Sequence, residues 1–176
     1  MATYKIDVDH SDIMFKVRHL MISNVSGIFK KFDATAEIDE KDLINGKVSF
    51  EADVTSVDTK NEQRDAHLKS DDFFNAETYP KMTFKSTGVQ KVSDDEFKLM
   101  GDLTIRDVTK PIELKVEFNG EITDPWGKER LGFEITGKIN RREYGLKWSA
   151  VTEAGGIVVA DDVKLQLNVE MIKQAA

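Results

Sequence analysis

Apolar and polar residues alternate one by one along most of this chain. In residues 47–55, Val48, Phe50, Ala52 and Val54 fall on one side of an extended backbone. Lys47, Ser49, Glu51, Asp53 and Thr55 fall on the other. Residues 98–106 repeat the pattern with Leu99, Gly101, Leu103 and Ile105, and residues 112–119 repeat it with Ile112, Leu114, Val116 and Phe118. Phe133, Ile135, Gly137 and Ile139 follow, then Val163, Leu165, Leu167, Val169 and Met171. A period of two marks strands with one dry face and one wet face. Strands of a parallel sheet, covered on both faces, read as unbroken apolar runs, so these are antiparallel.

Nine extended segments emerge, at 4–9, 12–19, 27–38, 47–55, 81–91, 97–106, 111–122, 130–139 and 162–172. The first two, separated only by His10-Ser11, read as one bent strand, which leaves eight. Asn45-Gly46 is a hairpin signal before the strand at 47. Ser93-Asp94-Asp95 and Asp124-Pro125-Trp126-Gly127 read as turns, the second placing Trp126 at a partly exposed site. Pro80 and Pro111 stand at strand starts, where a missing N–H costs least. One segment departs from the pattern. Thr59-Lys60-Asn61-Glu62 has the form of a capping box, which predicts a helix through about Lys69. Ser70 then caps a helical stub whose Phe73 and Phe74 plug one end of the fold.

Eight evenly alternating strands, several near ten residues long, favour closure over a sandwich with edges to protect. The expected fold is all-β: an eight-stranded antiparallel barrel with one short helix near residues 60–69, in a single domain spanning 1–176. Its inward faces would put Phe15, Val17, His19, Phe32, Phe50, Ala52 and Phe84 towards the axis. Leu99, Leu103, Leu114, Val116, Phe133, Ile135, Gly137, Leu165 and Leu167 complete the lining, with Trp148 in the lumen or at its rim. Gly101, Gly137, Ala34, Ala36 and Ala52 are small among these. Two readings stand: they leave room for one ligand, or they fit the taper of a filled barrel.

Charge narrows the partners. Lys plus Arg is 25 and Asp plus Glu is 32, a formal net charge of −7, which argues against nucleic acid and anionic surfaces. The absence of cysteine excludes disulfides, thiolate metal sites and a cysteine nucleophile. No apolar run approaches 18 residues, so stable membrane insertion is not expected. The first residues lack a basic stretch followed by an apolar one, which predicts a cytoplasmic protein, or a periplasmic or extracellular one if a signal was removed.

Candidate chemistry is sparse. The three histidines, His10, His19 and His67, lack His-x-His or His-x3-His spacing, so no metal site is expected. No nucleophile-elbow, zincin, Walker A or dinucleotide fingerprint is present, and no cofactor is expected. Arg64, Asp65 and His67 form the densest polar cluster. They could hold a polar head group, do acid–base work together with His19, or fasten the helix over the barrel mouth. Arg141 and Arg142 are adjacent arginines suited to phosphate oxygens, with Arg142 the head-group candidate.

Several segments, in order, carry a family resemblance. They are Ile6-Asp7 with His10-Ser11; Phe15-Lys16-Val17-Arg18-His19; Ser56-Val57-Asp58-Thr59; Arg64-Asp65-Ala66-His67-Leu68; and Asp72-Phe73-Phe74. Tyr79-Pro80-Lys81-Met82-Thr83-Phe84, Gly101-Asp102-Leu103-Thr104-Ile105, Val108-Thr109-Lys110-Pro111, Asp124-Pro125-Trp126-Gly127, Asn140-Arg141 and Tyr144-Gly145 complete them. Together they resemble the bacterial YceI-like family of polyisoprenoid-binding proteins. The resemblance implies an extended lipocalin-like barrel with a helix at one end and a long apolar cavity for an isoprenoid or similar amphiphile. It implies non-enzymatic binding, storage or transport of a polyprenyl phosphate or isoprenoid quinone. Two other functions are weighed against this: a lipid enzyme using His19, His67 and Asp65, and a filled barrel acting on protein partners in a stress response. A homodimer through an exposed strand or the Trp126 turn is a further expectation.

Overall fold

A computed structural model describes residues 1–39, 41–150 and 158–175. The strands are β1 (Ala2–Ile6), β2 (Asp12–His19), β3 (Ser23–Phe29), β4 (Phe32–Asp39), β5 (Asp42–Asp53), β6 (Val57–Asp58), β7 (Lys81–Lys91), β8 (Glu96–Ile105), β9 (Val108–Thr123), β10 (Glu129–Asn140) and β11 (Val159–Lys173). One helix, α1 (Glu62–Lys69), lies between β6 and β7. Every pairing is antiparallel, in the ring order β1-β4-β5-β7-β8-β9-β10-β11, and β11 returns to β1 with Tyr4 opposite Lys173.

Eight staves form the barrel because three of them are bent. Both β1 and β2 lie along β11, with Ile6 opposite Met171 and Ile13 opposite Leu167. The 3-10 turn Val8–His10 is the bend. In the same way β3 continues into β4 past Lys30-Lys31, and β5 continues into β6 through the 3-10 turn Val54–Ser56. The alternation could show the strands but barely these corners, where the inward face resets.

Three local expectations are corrected. Asn45-Gly46 is no hairpin: it lies inside β5, where Glu37 faces Lys47 but Asp39 faces Asp42. Two residues of advance on β4 are matched by five on β5, so the pair sits in a bulge, and the chain reverses between Asp39 and Asp42. Pro111 is the fourth residue of β9 rather than its first. Pairing with β10 begins only at Lys115, so the missing N–H still has a free edge. The capping residue of α1 is Asn61, whose Oδ1 accepts from the Arg64 N–H at 2.9 Å. Thr59 is buried and engaged elsewhere. Ser70 closes α1 at its C-terminus, its Oγ donating to the His67 carbonyl at 2.6 Å, and residues 71–74 form a turn instead of a helical stub.

At one end of the barrel β6 pairs only with β3, so the ladder stops short of the β8–β9 corner. The chain from α1 to Pro80 covers that opening. Phe73 and Phe74 are buried there, Phe74 edge-on to Phe29 at 5.9 Å between ring centres. Arg106, at the β8–β9 corner, holds this cover down. It donates to the carbonyls of Asp71, Phe73 and Gly145 at 3.1–3.3 Å and pairs with the Asp71 carboxylate at 2.9 Å. The β1–β2 bend is fastened by Arg130, which reaches Asp7 at 2.7 Å, Asp124 at 2.8 Å and Glu170 at 2.9 Å.

Candidate functional site

The barrel encloses a lumen of two adjoining chambers. The lower one lies within the closed ring and is lined wholly by apolar residues and one glycine. Phe15, Phe50, Phe84, Leu99, Leu103 and Leu114 belong to it, as do Val116, Phe133, Ile135, Leu165 and Leu167. The upper chamber lies under the cover. Val17, His19 and Trp148 line it, together with Thr59, Arg64, His67 and Arg141. Phe15, Phe29, Met82, Ile139 and Leu165 border both chambers and form a waist, the Phe15 and Phe29 rings standing 5.6 Å apart. The volumes are about 190 and 260 Å³. Neither alone reaches the roughly 300–1,000 Å³ of an ordinary small-molecule pocket, while their combined volume does.

Small residues act in two ways. Ala34 and Ala36 line the lower chamber and widen it. Gly101 and Gly137 do not. The space a side chain would take at Gly101 holds the Phe84 ring, and at Gly137 a methyl group of Leu114 lies 2.5 Å from where a Cβ would stand. Gly27, directly opposite Phe15, receives that ring. Glycine lets these side chains lie against the wall instead of projecting across the axis. Ala52 is fully buried, and it, Phe32 and Gly137 line neither chamber.

The polar end is built around Thr59. Its backbone N–H donates to Asp65 Oδ1 at 2.9 Å, and its hydroxyl donates to the same oxygen. Arg64 Nε donates to that hydroxyl at 2.8 Å, and an Arg64 terminal nitrogen donates to the Thr59 carbonyl at 2.7 Å. Asp65 is therefore spent holding α1 to the barrel and lines neither chamber, whereas Arg64 does. The His67 ring nitrogen Nε2 bonds Asp72 at 2.8 Å, and the ring meets Phe73 and Trp148 edge-on at 5.0 and 4.9 Å. Among the described residues no hydrogen bond joins His19, His67 and Asp65.

Arg142 turns outward to Asp161 at 2.7 Å, while its neighbour Arg141 is buried and lines the upper chamber. Strand β10 ends at Asn140 and residues 141–144 form a 3-10 turn, so alternation could not tell which arginine turns in. Arg141 donates to the carbonyls of Ala160, Leu146 and Val159 at 2.8, 2.6 and 3.3 Å. Burial pulls its pKa below the usual guanidinium value, with Asp161 opposing and Arg142 adding to the fall. Ile13, Met82 and the buried Phe29 are lining residues the sequence reading did not single out. Met14 lines the lower chamber beside Ile13 and Phe15, against the alternation. Outside the lumen, Asp7, His10 and Glu170 bring three possible metal-ligand atoms within 4.8 Å. Arg130 already bonds both carboxylates. Among the described residues no helix is long and apolar enough to cross a membrane.

A closed eight-stave antiparallel barrel with an apolar lumen and a helix across one end is a lipocalin-like barrel. Comparison with known proteins places it further: the model of the YceI-like domain matches residues 4–171, and the chain belongs to that family. Protein YceI of Escherichia coli O157:H7 is 42% identical over 175 residues, covering 98% of this chain and 88% of that protein. The crystal structure of a Campylobacter jejuni YCEI protein superposes with a TM-score of 0.77 at 36% identity, covering 91% of each chain. A polyisoprenoid binding domain from Saccharophagus degradans, implicated in plant cell wall breakdown, shares the fold. Its TM-score is 0.72 at 16% identity, covering 99% of this chain and 100% of that one.

Proposed function

We propose that this protein binds a long-chain isoprenoid, a polyprenyl phosphate or an isoprenoid quinone, and stores or carries it without chemical change. The observation that carries this reading is the pair of adjoining chambers, the lower one apolar throughout and the upper one polar beneath the cover. The Saccharophagus degradans neighbour, named for polyisoprenoid binding, supports it. The chain's tail occupies the lower chamber and its polar end the upper, near Arg64, His67 and Arg141. Each buried methylene contributes about 0.8 kcal/mol, so several isoprene units would nominally exceed the practical ceiling near 18 kcal/mol. Affinity therefore discriminates chain length poorly, and the length of the lumen sets it. A hydrogen-bonded acid–base set is missing among His19, His67 and Asp65, which favours binding over the enzymatic reading.

The test is mass spectrometry of organic extracts from protein purified without detergent, beside an Ala36→Phe variant. Ala36 lines the lower chamber, so a phenyl group there fills the tail's space. A stoichiometric isoprenoid in the wild type that is lost or shortened in the variant supports the proposal. A wild-type protein that stays empty even with added polyprenyl lipid refutes it and returns the choice to a barrel acting through protein partners.

A further inference from the structure

The β2–β3 turn carries Leu20, Met21 and Ile22 in a row, with 39%, 55% and 79% of their surfaces exposed. The Ile22 N–H donates to the His19 carbonyl at 3.1 Å, so Leu20 and Met21 are the central residues of a tight turn. Both have positive φ, 52° and 62°. Two central residues of that kind characterise the hairpin turn that favours Asn-Gly. A bulky L-residue there crowds its Cβ against the following carbonyl. None of the three side chains joins either core cluster. The turn thus departs from local preference without gaining buried contacts, which marks a surface kept for something outside the chain.

Its place in the fold says what that is. His19 before the turn and Val25 after it line the upper chamber, and the Leu20 N–H bonds the carbonyl of Val158, another lining residue, at 2.9 Å. At the far end of the barrel the β9–β10 turn follows ordinary chemistry, with Gly127 supplying the positive φ, although Trp126 is 79% exposed.

We infer that the Leu20–Ile22 tip docks the upper chamber onto a lipid bilayer, an inference that rests on the lipid-cargo reading above. A water-insoluble cargo resides in a bilayer, and the tip stands beside the chamber that would receive it. Three side chains on a convex turn fall far short of the roughly 800 Å² per partner of a stable protein interface. Shallow insertion needs only a few apolar groups. The net charge of −7 opposes attraction to anionic lipid as the driving force. The contact is apolar and persists in high salt.

The test is flotation of the intact protein with phosphatidylcholine vesicles. The wild type floats at low and high salt. The triple variant Leu20→Asn, Met21→Gly, Ile22→Ser, whose first two changes suit the turn, loses vesicle association by about tenfold or more. Ile22→Asp, which leaves both positive-φ residues in place, shows the same loss, and Trp126→Ser does not. A wild type that stays off the vesicles, or variants that float as it does, overturns the inference. Loss with Trp126→Ser alone does so too, and a dimer that the tip variants break assigns the tip to a second copy instead. Uptake of a labelled polyprenol from detergent micelles is equal in wild type and variants. If neither takes it up, the cargo reading fails, while flotation still decides the docking.

Discussion

Single residues here carry opposite kinds of polar burden. Arg141 satisfies three carbonyls, that of Leu146 buried and those of Ala160 and Val159 half-buried, so Arg141→Met leaves them without this donor and lowers stability by about 1–3 kcal/mol, read from denaturant melts. Tyr144 is the reverse case. Its hydroxyl is buried with no partner among the described residues, and burial, with Glu143 adding, pushes its pKa up to about 12. Tyr144→Phe removes a desolvated group that makes no bond, so stability stays level or rises by about 1 kcal/mol. A loss above that would show a bond the structure does not contain. The cluster at the β1–β2 bend adds a pH dependence. Burial raises the Asp7 pKa, but bonds from Arg130 and His10 outweigh it and hold the carboxyl below its usual value; Asp124 is held low by Arg130 and backbone N–H groups. Their contribution is complete above the ordinary carboxylate value near 3.8 and is lost as pH falls through the lower folded value. His10 is raised above 6.5 by Asp7, so its share is complete below 6.5 and is lost as pH climbs through the higher folded value. Arg130→Gln lowers the melting temperature at neutral pH and flattens the acid limb of its pH profile. An unchanged acid limb would remove Arg130 from this account.

Among the elements, those with weak local preference owe their place to polar bonds from elsewhere. No residue of α1 is fully buried; Leu68 packs half-buried on the core, and the helix is further held by the Thr59–Arg64–Asp65 bonds and by Arg106 beyond it. Arg106→Ala therefore releases the cover without unfolding the barrel. Amide exchange over residues 70–80 rises while that of β9 and β10 is unchanged, and bound lipid dissociates faster. The β2–β3 turn behaves oppositely, since its own residues oppose its backbone. Leu20→Asn with Met21→Gly raises stability by about 1 kcal/mol in thermal or denaturant melts, even as it removes the docking tip. The helix was legible from its polar start, but its capping residue was not. Thr59 and Asn61 are both good caps by type, and only the buried Thr59–Asp65 bond decides between them.

At the scale of the molecule the lumen is a balance of filled and unfilled inward positions. Gly137 shows how close the balance is. Gly137→Phe drives a ring into the place of Leu114 and destabilises by about 1–3 kcal/mol, whereas Ala36→Phe enters open space and is tolerated. Equal melting temperatures for the two variants would mean that Leu114 repacks freely. The sequence by itself determined the strands, their antiparallel pairing, the closed barrel and most of the lower chamber. Those features follow from period two, which is local and repeats in β5, β8, β10 and β11. It also picked out Arg64, Asp65 and His67 as one polar cluster, of which the structure brings Arg64 and His67 to the upper chamber and Asp65 to Thr59. Only the tertiary structure decided the rest. The bend at His10-Ser11 was legible, but the corners at residues 30–31 and 54–56 were not; they reset the inward face, so positions beyond them could not be counted through. Whether an inward glycine leaves a void depends on the neighbouring strand's side chain, as Phe84 at Gly101 shows. Whether Asp65 meets a ligand depends on Thr59, six residues away, and whether the cover stays shut depends on Arg106, more than thirty residues from Phe73. Alternation fixes which face a residue takes. Register and packing between distant strands fix what it meets there.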